Sequence, residues 1–313
     1  MQRFRDLVIG VDGGGTTTRF AVADAESGQV IRQATSGSIS PYVYPWDYVL
    51  TNIKMGLTAL FNDATGLNPA HVRAAAFGVS GVDRPEHEVN FSKKVLPLMP
   101  QAIVKVVNDG VIALLGGLKG ESGLLAISGT GSIAYGINPE GKDLRVGGWG
   151  HVLGDEGSGY RLGLEALRRI MRAYDQVSRP TLLTGLILKH LGLITPPDLL
   201  DWTNRIKADK GQIAALSVCV HEAAAAGDQA ALQILEVEAR GLARQVETIH
   251  RRLFDSHRSG PVEVVCAGGN LVNGRDYYRI FGQIISSLLP QAEVKHPEHQ
   301  PVIGAVRLAL KCL

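Results

Sequence analysis

Residues 7–24 read LVIGVDGGGTTTRFAVAD, and residues 123–141 read GLLAISGTGSIAYGINPEG. Each stretch is an apolar run, a turn rich in glycine and hydroxyl side chains, and a second run rich in β-formers. A chain that does this twice predicts two halves of related topology, each opening on a hairpin. Neither turn is a dinucleotide loop. The first three glycines are contiguous, and TTRFAVAD alternates as a strand does, whereas G-x-G-x-x-G opens a helix. No G-K-[ST] follows, so a P-loop is excluded too. A hairpin turn with bare backbone N–H groups and threonine hydroxyls can face an anion. A plain tight turn is the other reading.

The 37 glycines gather after short apolar runs: LVIGVD, AAAFGVS, GLLAISG and VEVVCAGG. Strands that end in glycine loops and alternate with helical stretches indicate an α/β protein whose loops meet a ligand at the sheet edge. Trp46, Val49, Leu50, Ile53, Leu57, Leu60 and Phe61 recur at helical spacing and predict a core-facing helix over 46–61. Strands are expected at 74–79 and 103–107, with a helix at 85–96 between them. The second half reads as more helical, above all over 229–254, with a strand at 262–266 and a last helix at 302–310. The expected division is a domain over 1–118 and a second over 119–313. The terminal helix, about 301–312, is expected to pack back on the first domain.

The formal net charge is +2, without a basic stripe, so nucleic acid is not an expected partner. No apolar run reaches membrane-spanning length, and the N-terminus leads directly into a strand without a signal peptide. Cys219, Cys266 and Cys312 are far apart, which suits reduced thiols in a cytoplasm and offers no zinc or cluster spacing. His151 has no second ligand at a sensible spacing and is read as structural.

VIGVDGGGTTTR, GVSGVDRP, VVNDGVIALLGG, AISGTGS, GGWGHVLGDEGSG and VCAGGNLVNG occur in that order, and PVIGAVRLAL closes the chain. With these motifs the sequence resembles the sugar kinase/Hsp70/actin superfamily. More closely it resembles the N-acetylglucosamine kinase branch, grouped with the BadF/BadG/BcrA/BcrD-type ATPases, over essentially its full length. The resemblance implies two ribonuclease H-like, actin-like ATPase domains around a central cleft. It implies ATP and Mg²⁺ as cofactors, a small sugar as substrate, a homodimer, and phosphoryl transfer to the 6-hydroxyl of N-acetylglucosamine or a related hexose.

Such a transfer needs phosphates held, charge neutralised and the nucleophile aimed in line. The resemblance implies that Gly13, Gly14, Gly15 and Thr16 form one phosphate loop and Thr130, Gly131 and Ser132 the other. Asp12 would hold Mg²⁺, partly through water. Asp109 follows the strand KVVN and precedes a helical run, where an ordinary N-cap is one reading; the family position of VVNDG implies a general base. Gly148, Trp149, Gly150 and Asp155 would meet the sugar, together with Ser80 and Gly81. A core role for Trp149 and a helix-start role for Asp155 are the other readings. Gly268, Gly269 and Asn273 would face the nucleotide, with Ala225, beside Ala224, packing on the base. One departure stands out: the family's sugar-recognising Asn after the third strand is replaced by SGSISPYVYP, so Ser38 and Ser40 are the candidates there. A hydroxyl lacks the paired donor and acceptor of an amide, which leaves glucosamine and other hexoses open.

Three rivals differ in their signatures. An activator of a CoA-ester dehydratase would need cluster-binding cysteines. A sugar-responsive regulator of the ROK type would need a helix-turn-helix and zinc cysteines. A non-catalytic sensor of the same fold would not need Asp109 and two phosphate loops together.

Overall fold

A computed structural model of the chain describes residues 6–61, 67–82, 84–207, 209–254 and 260–313. The chain divides into two compact units, residues 1–121 with 297–313, and residues 122–296. The division falls after Glu121 rather than Leu118, and the C-terminal segment belongs to the first unit.

The first unit is built on a five-stranded sheet in the order β3-β2-β1-β4-β5. Its strands are β1 (Leu7–Gly13), β2 (Thr17–Asp24), β3 (Val30–Gly37), β4 (Val72–Val79) and β5 (Ile103–Asn108). β1, β2 and β3 pair antiparallel, while β4 joins β1, and β5 joins β4, in parallel. Side chains alternate across such a sheet. Leu7, Ile9 and Val11 therefore enter one apolar cluster with Val49 and Ile53 of α1 (Trp46–Leu60) and Phe91 and Val95 of α2 (Pro85–Val95). Burying each such side chain contributes about 1.5–3 kcal/mol. Val8, Ala74 and Ala76 face the other way, onto Val302, Val306 and Ala309 of α12 (Pro301–Leu310). The small residues there let backbones approach. A Cβ on Gly10 would stand 2.5 Å from the Val306 nitrogen, and one on Gly304 would stand 1.9 Å from the Ile112 carbonyl of α3 (Asp109–Gly117).

The second unit repeats the plan. Its sheet runs β10-β9-β6-β7-β8, the same strand order with the corresponding pairings. The strands are β6 (Gly123–Ser128), β7 (Ser132–Ile137), β8 (Asp143–Gly147), β9 (Val262–Ala267) and β10 (Ala292–Lys295). Between β8 and β9 the chain inserts α4 (Gly159–Tyr174), α5 (Leu182–Leu191), α6 (Asp198–Arg205), α7 (Lys210–Ala215), α8 (Ser217–Ala225) and the long α9 (Gln229–Leu253). Starts are fixed by side-chain caps: Ser158 accepts from Arg161 N, Asp209 from Gln212 N and Asp228 from Ala231 N. α10 (Gly269–Asn273) and α11 (Arg275–Leu288) follow β9. The fold is thus α/β with two mixed sheets, the second unit being the more helical. Of the helices in the insertion, α9 lies where its long period predicts a helix.

Candidate functional site

In the first unit the turn between β1 and β2 is closed by Gly14 N donating to Thr17 O at 3.1 Å. Two segments converge beneath it. The Ser38 hydroxyl donates to Gly14 O at 2.9 Å, Ser80 N donates to Gly13 O at 2.9 Å, and the Ser40 hydroxyl donates to Ser80 O at 3.1 Å. Ser38 and Ser40 are fully or nearly fully buried. Their hydroxyls hold the loops together: each gives its proton to a backbone carbonyl, which leaves acceptor lone pairs alone for any ligand. Gly15 and Thr16 are exposed at the tip, and a Cβ on Gly15 would meet nothing within 4 Å. At the neighbouring corner Gly81 has φ 87°, and Tyr42 covers it, with Cδ2 2.8 Å from where a Cβ would be. Tyr42 is 55% exposed and its ring lies 4.9 Å from that of His87. Sequence reasoning did not single out this aromatic pair. Asp83 of GVSGVDRP lies outside the described residues.

Two acids flank this region. Asp12, near the end of β1, faces Arg19 across the hairpin at 3.7 Å. Burial pushes its carboxyl above the ordinary range, and the Arg19 charge only partly offsets this. Asp109 is the first residue of α3, but the cap is its neighbour: Asn108 Oδ1 accepts from Gly110 N at 2.8 Å. The N-cap reading of Asp109 is therefore taken by another side chain, and Asp109 sits half-buried in the first turn.

In the second unit the turn between β6 and β7 is held from below. Gly129 O accepts from Gly159 N at 2.8 Å and from Asn270 Nδ2 at 3.0 Å, and Thr130 O accepts from Tyr160 N at 3.3 Å. The Ser132 hydroxyl donates to Glu156 O at 2.7 Å and is buried. The hydroxyl is therefore a fastening for the segment 155–159. Thr130 is exposed and Gly131 half-buried. Gly157, at φ 86°, is fixed from three sides: its N–H donates to Glu238 Oε2 at 2.8 Å, and its carbonyl accepts from Tyr277 at 2.9 Å and from Ser128. Burial pushes the Glu238 carboxyl up, and the Gly157 N–H and Arg161 pull it back in part.

A cavity of about 610 Å³ opens beside this turn. It is lined by Gly129 and Thr130, by Ala214, Ala215, Val218 and His221 of α7 and α8, and by Gly269 and Asn273. That volume suits a nucleoside. Gly268, at φ 83°, brings its backbone against Ser128, where a Cβ would stand 2.3 Å from the carbonyl oxygen. Ala225 is exposed at the end of α8, does not line the cavity, and Ala224 is in the core. The residues expected to pack on a base therefore do not line this cavity, whose wall is made earlier, by α7 and α8. His221 Nε2 lies 3.2 Å from Asn270 Oδ1. Asn270 Nδ2 already donates to Ser128 Oγ and Gly129 O, so Oδ1 is the acceptor and the imidazole carries its proton on Nε2. Burial holds this histidine below the usual range.

The GGWGHVLG segment is open to solvent. Trp149 is 63% exposed with Arg145 over its ring at 4.7 Å, so it is not a core residue. Gly148 and Gly150 have φ of 70° and 85° and let the loop turn on either side of it. Asp155 is 2% exposed, with Oδ2 2.8 Å from Lys210 Nζ. It is not part of a helix start, because Ser158 caps α4.

The sequence matches the BadF/BadG/BcrA/BcrD ATPase family over residues 9–309. The chain belongs to that family. It is 33% identical to an N-acetylmuramic acid/N-acetylglucosamine kinase of Clostridium acetobutylicum over 96% of this chain and 97% of the other. It is 32% identical to an N-acetyl-D-glucosamine kinase of Dictyostelium discoideum, covering 98% of each. A crystal structure from Chromobacterium violaceum, provisionally named an N-acetylglucosamine kinase, superposes with a TM-score of 0.69 at 25% identity, over 98% of this chain and 100% of that one. Membership of the BadF/BadG/BcrA/BcrD family implies use of ATP. A family member's Mg²⁺ is normally held by one or two carboxylates with substrate phosphates completing the shell. Asp12 fits that demand, since a buried carboxylate with a raised pKa and one distant cation would gain from a divalent ion. Among the described residues no cluster of three or more potential ligands offers an all-protein cage, and no helix is long and apolar enough to cross a membrane.

Proposed function

We propose that the chain is an ATP-dependent kinase of an amino sugar, with N-acetylglucosamine and its 6-hydroxyl as the first choice of acceptor. The observation that carries this reading is the nucleoside-sized cavity beside the 129–132 turn, in a chain whose full-length relatives are named as kinases of such sugars. The cavity would take adenosine, with Gly268, Gly269 and Asn273 against it. The backbone N–H groups of Thr130 and Gly131, and of Gly15 and Thr16, would hold phosphates, with Gly13 and Gly14 shaping the first turn. Asp109 would take the proton of the attacking hydroxyl. A bond then forms between the sugar oxygen and the γ-phosphorus, the bond to the β-phosphate oxygen breaks, and ADP leaves. Mg²⁺, when bound at Asp12, would offset the charge on the phosphate oxygens. Gly148, Trp149, Gly150, Asp155, Ser80 and Gly81 would shape the sugar side. Glucosamine or another hexose is the alternative acceptor, and a cytoplasmic homodimer is the proposed working form.

The test is ADP release from ATP·Mg²⁺ with N-acetylglucosamine, glucosamine, glucose, N-acetylmannosamine, N-acetylmuramic acid or no sugar. Asp109→Asn is expected to lower kcat by about 10²–10⁴ and to leave folding intact, because Asn108 keeps the cap. Sugar-independent ADP release, or a variant as fast as the parent, would refute the reading.

A further inference from the structure

Lys210 plays no part in the scheme above, yet it stands at its centre. It is the first residue of α7, and the residues that follow, Gly211, Ala214 and Ala215, form one wall of the 610 Å³ cavity. Its Nζ lies 2.8 Å from Asp155 Oδ2. The same ammonium is 3.0 Å from the point where a Cβ on Gly131 would be, and the two carboxylate oxygens of Asp155 are 3.1 and 3.4 Å from that point. Only a glycine at 131 lets this ion pair lie on the turn.

The pair also answers an electrostatic problem. Asp155 is nearly fully buried, and among the described residues Oδ1 accepts from Ser132 N at 3.5 Å. Without a counter-charge, its carboxylate would repel any phosphate brought to the 129–132 turn. Lys210 neutralises it. An ammonium has three donors; one serves Asp155, the side chain is 32% exposed, and two donors remain for ligand oxygens. We propose that Lys210 binds the terminal phosphate of a nucleoside di- or triphosphate while still bonded to Asp155. It thereby joins the phosphate turn to the residue proposed for the sugar. This rests on the reading of the cavity as a nucleoside site.

Calorimetric titration with ADP and with adenosine tests it, because both need the cavity and only ADP has the phosphates. Lys210→Gln is expected to weaken ADP by about 10- to 100-fold, the range for a hydrogen bond to a charged group, while adenosine changes less than about twofold. Lys210→Arg should recover most of the ADP affinity. Lys210→Gln alone leaves Asp155 buried without its cation. If that variant does not fold, the double variant Lys210→Gln/Asp155→Asn, which buries no lone charge, carries the same comparison. Equal weakening of ADP and adenosine would make Lys210 a merely structural residue and overturn the proposal, as would unchanged ADP binding. A wild-type protein that binds neither ligand would instead refute the nucleoside reading beneath it.

Discussion

Gly304→Ala tests whether the packing under the sheet of the first unit positions the proposed base. The added Cβ would stand 1.9 Å from Ile112 O and 2.5 Å from Gly116 N, both backbone atoms of α3. No side chain can rotate aside. To reach ordinary contact, α12 and α3 must separate by roughly 1.5 Å, and overpacking of this kind costs about 3 kcal/mol, the upper end of its usual range. Replacing glycine by alanine within a helix returns about 1 kcal/mol. The net loss is then about 2 kcal/mol, or a melting temperature lower by about 3 °C for a chain of this size. Ile112 lies one turn from Asp109, so the displacement reaches the start of α3. A misplacement of about 1 Å at a reacting group can lower turnover by about 10²-fold. Differential scanning calorimetry and steady-state kinetics on one preparation read both effects. A variant melting within about 1 °C of the parent, with unchanged kcat, would refute the close-approach argument.

Gly15→Ala should behave in the opposite way. Gly15 has open space around its Cβ position and is not among the positive-φ glycines, so stability should change by less than about 0.5 kcal/mol, while KM for ATP rises because the new methyl group stands where a phosphate approaches. An unchanged KM would remove that turn from the phosphate site. His221, held low by burial, favours its neutral form in the fold, so its contribution to stability is present above the unfolded pKa of 6.5 and is lost as pH falls through the lower folded value. Melting temperature should fall from pH 7 towards pH 5 more steeply in the parent than in His221→Gln, and parallel curves would contradict this. Asp12 has the reverse sign. Its folded pKa is raised, so the stability it contributes is present below 3.8 and is lost as pH rises through the higher folded value. Asp12→Asn should therefore melt higher than the parent at pH 7 while losing Mg²⁺-dependent turnover. A lower melting temperature there would mean that Arg19 outweighs burial.

Sheet architecture was legible because apolar alternation and glycine turns are local signals. β1, β2, β4, β5, β6 and β9 lie where those signals place them, and α9 follows from its long amphipathic period. The insertion after β8 was less legible, since α5 to α8 are short and broken by turns, so no single period extends across them. The same break misled the reading of the base contact. HEAAAAGD looks like a helix packing closely on something, but Leu216 separates α7 from α8, and the wall falls on Ala214, Ala215 and Val218 instead. Ser38, Ser40 and Ser132 were recognised as polar residues in the right loops. Their partners are backbone carbonyls 24, 40 and 24 residues away in the chain, and nothing in a local sequence window specifies such a pairing.

The two units share a strand order yet carry different chemistry, and what the chain adds to each sheet accounts for the difference. In the first unit, among the described residues, one α-helix, α1, and a 3-10 turn at Pro69–His71 lie between β3 and β4. Asp12 lies near the end of β1, and the end of β5 leads directly to Asp109. In the second unit six helices stand between β8 and β9. Two of them, α7 and α8, line the cavity, α7 brings Lys210 onto the 129–132 turn, and α9 carries the buried Glu238 that fixes Gly157. The hairpin repeated in the sequence is the common element. A general base and a metal carboxylate need only a strand end and a helix start. A nucleoside needs walls, and walls require the inserted chain. Catalytic candidates were therefore readable from motifs beside the strands, whereas Lys210, Tyr42 and His221 emerged only once helices and loops distant in sequence were seen to meet.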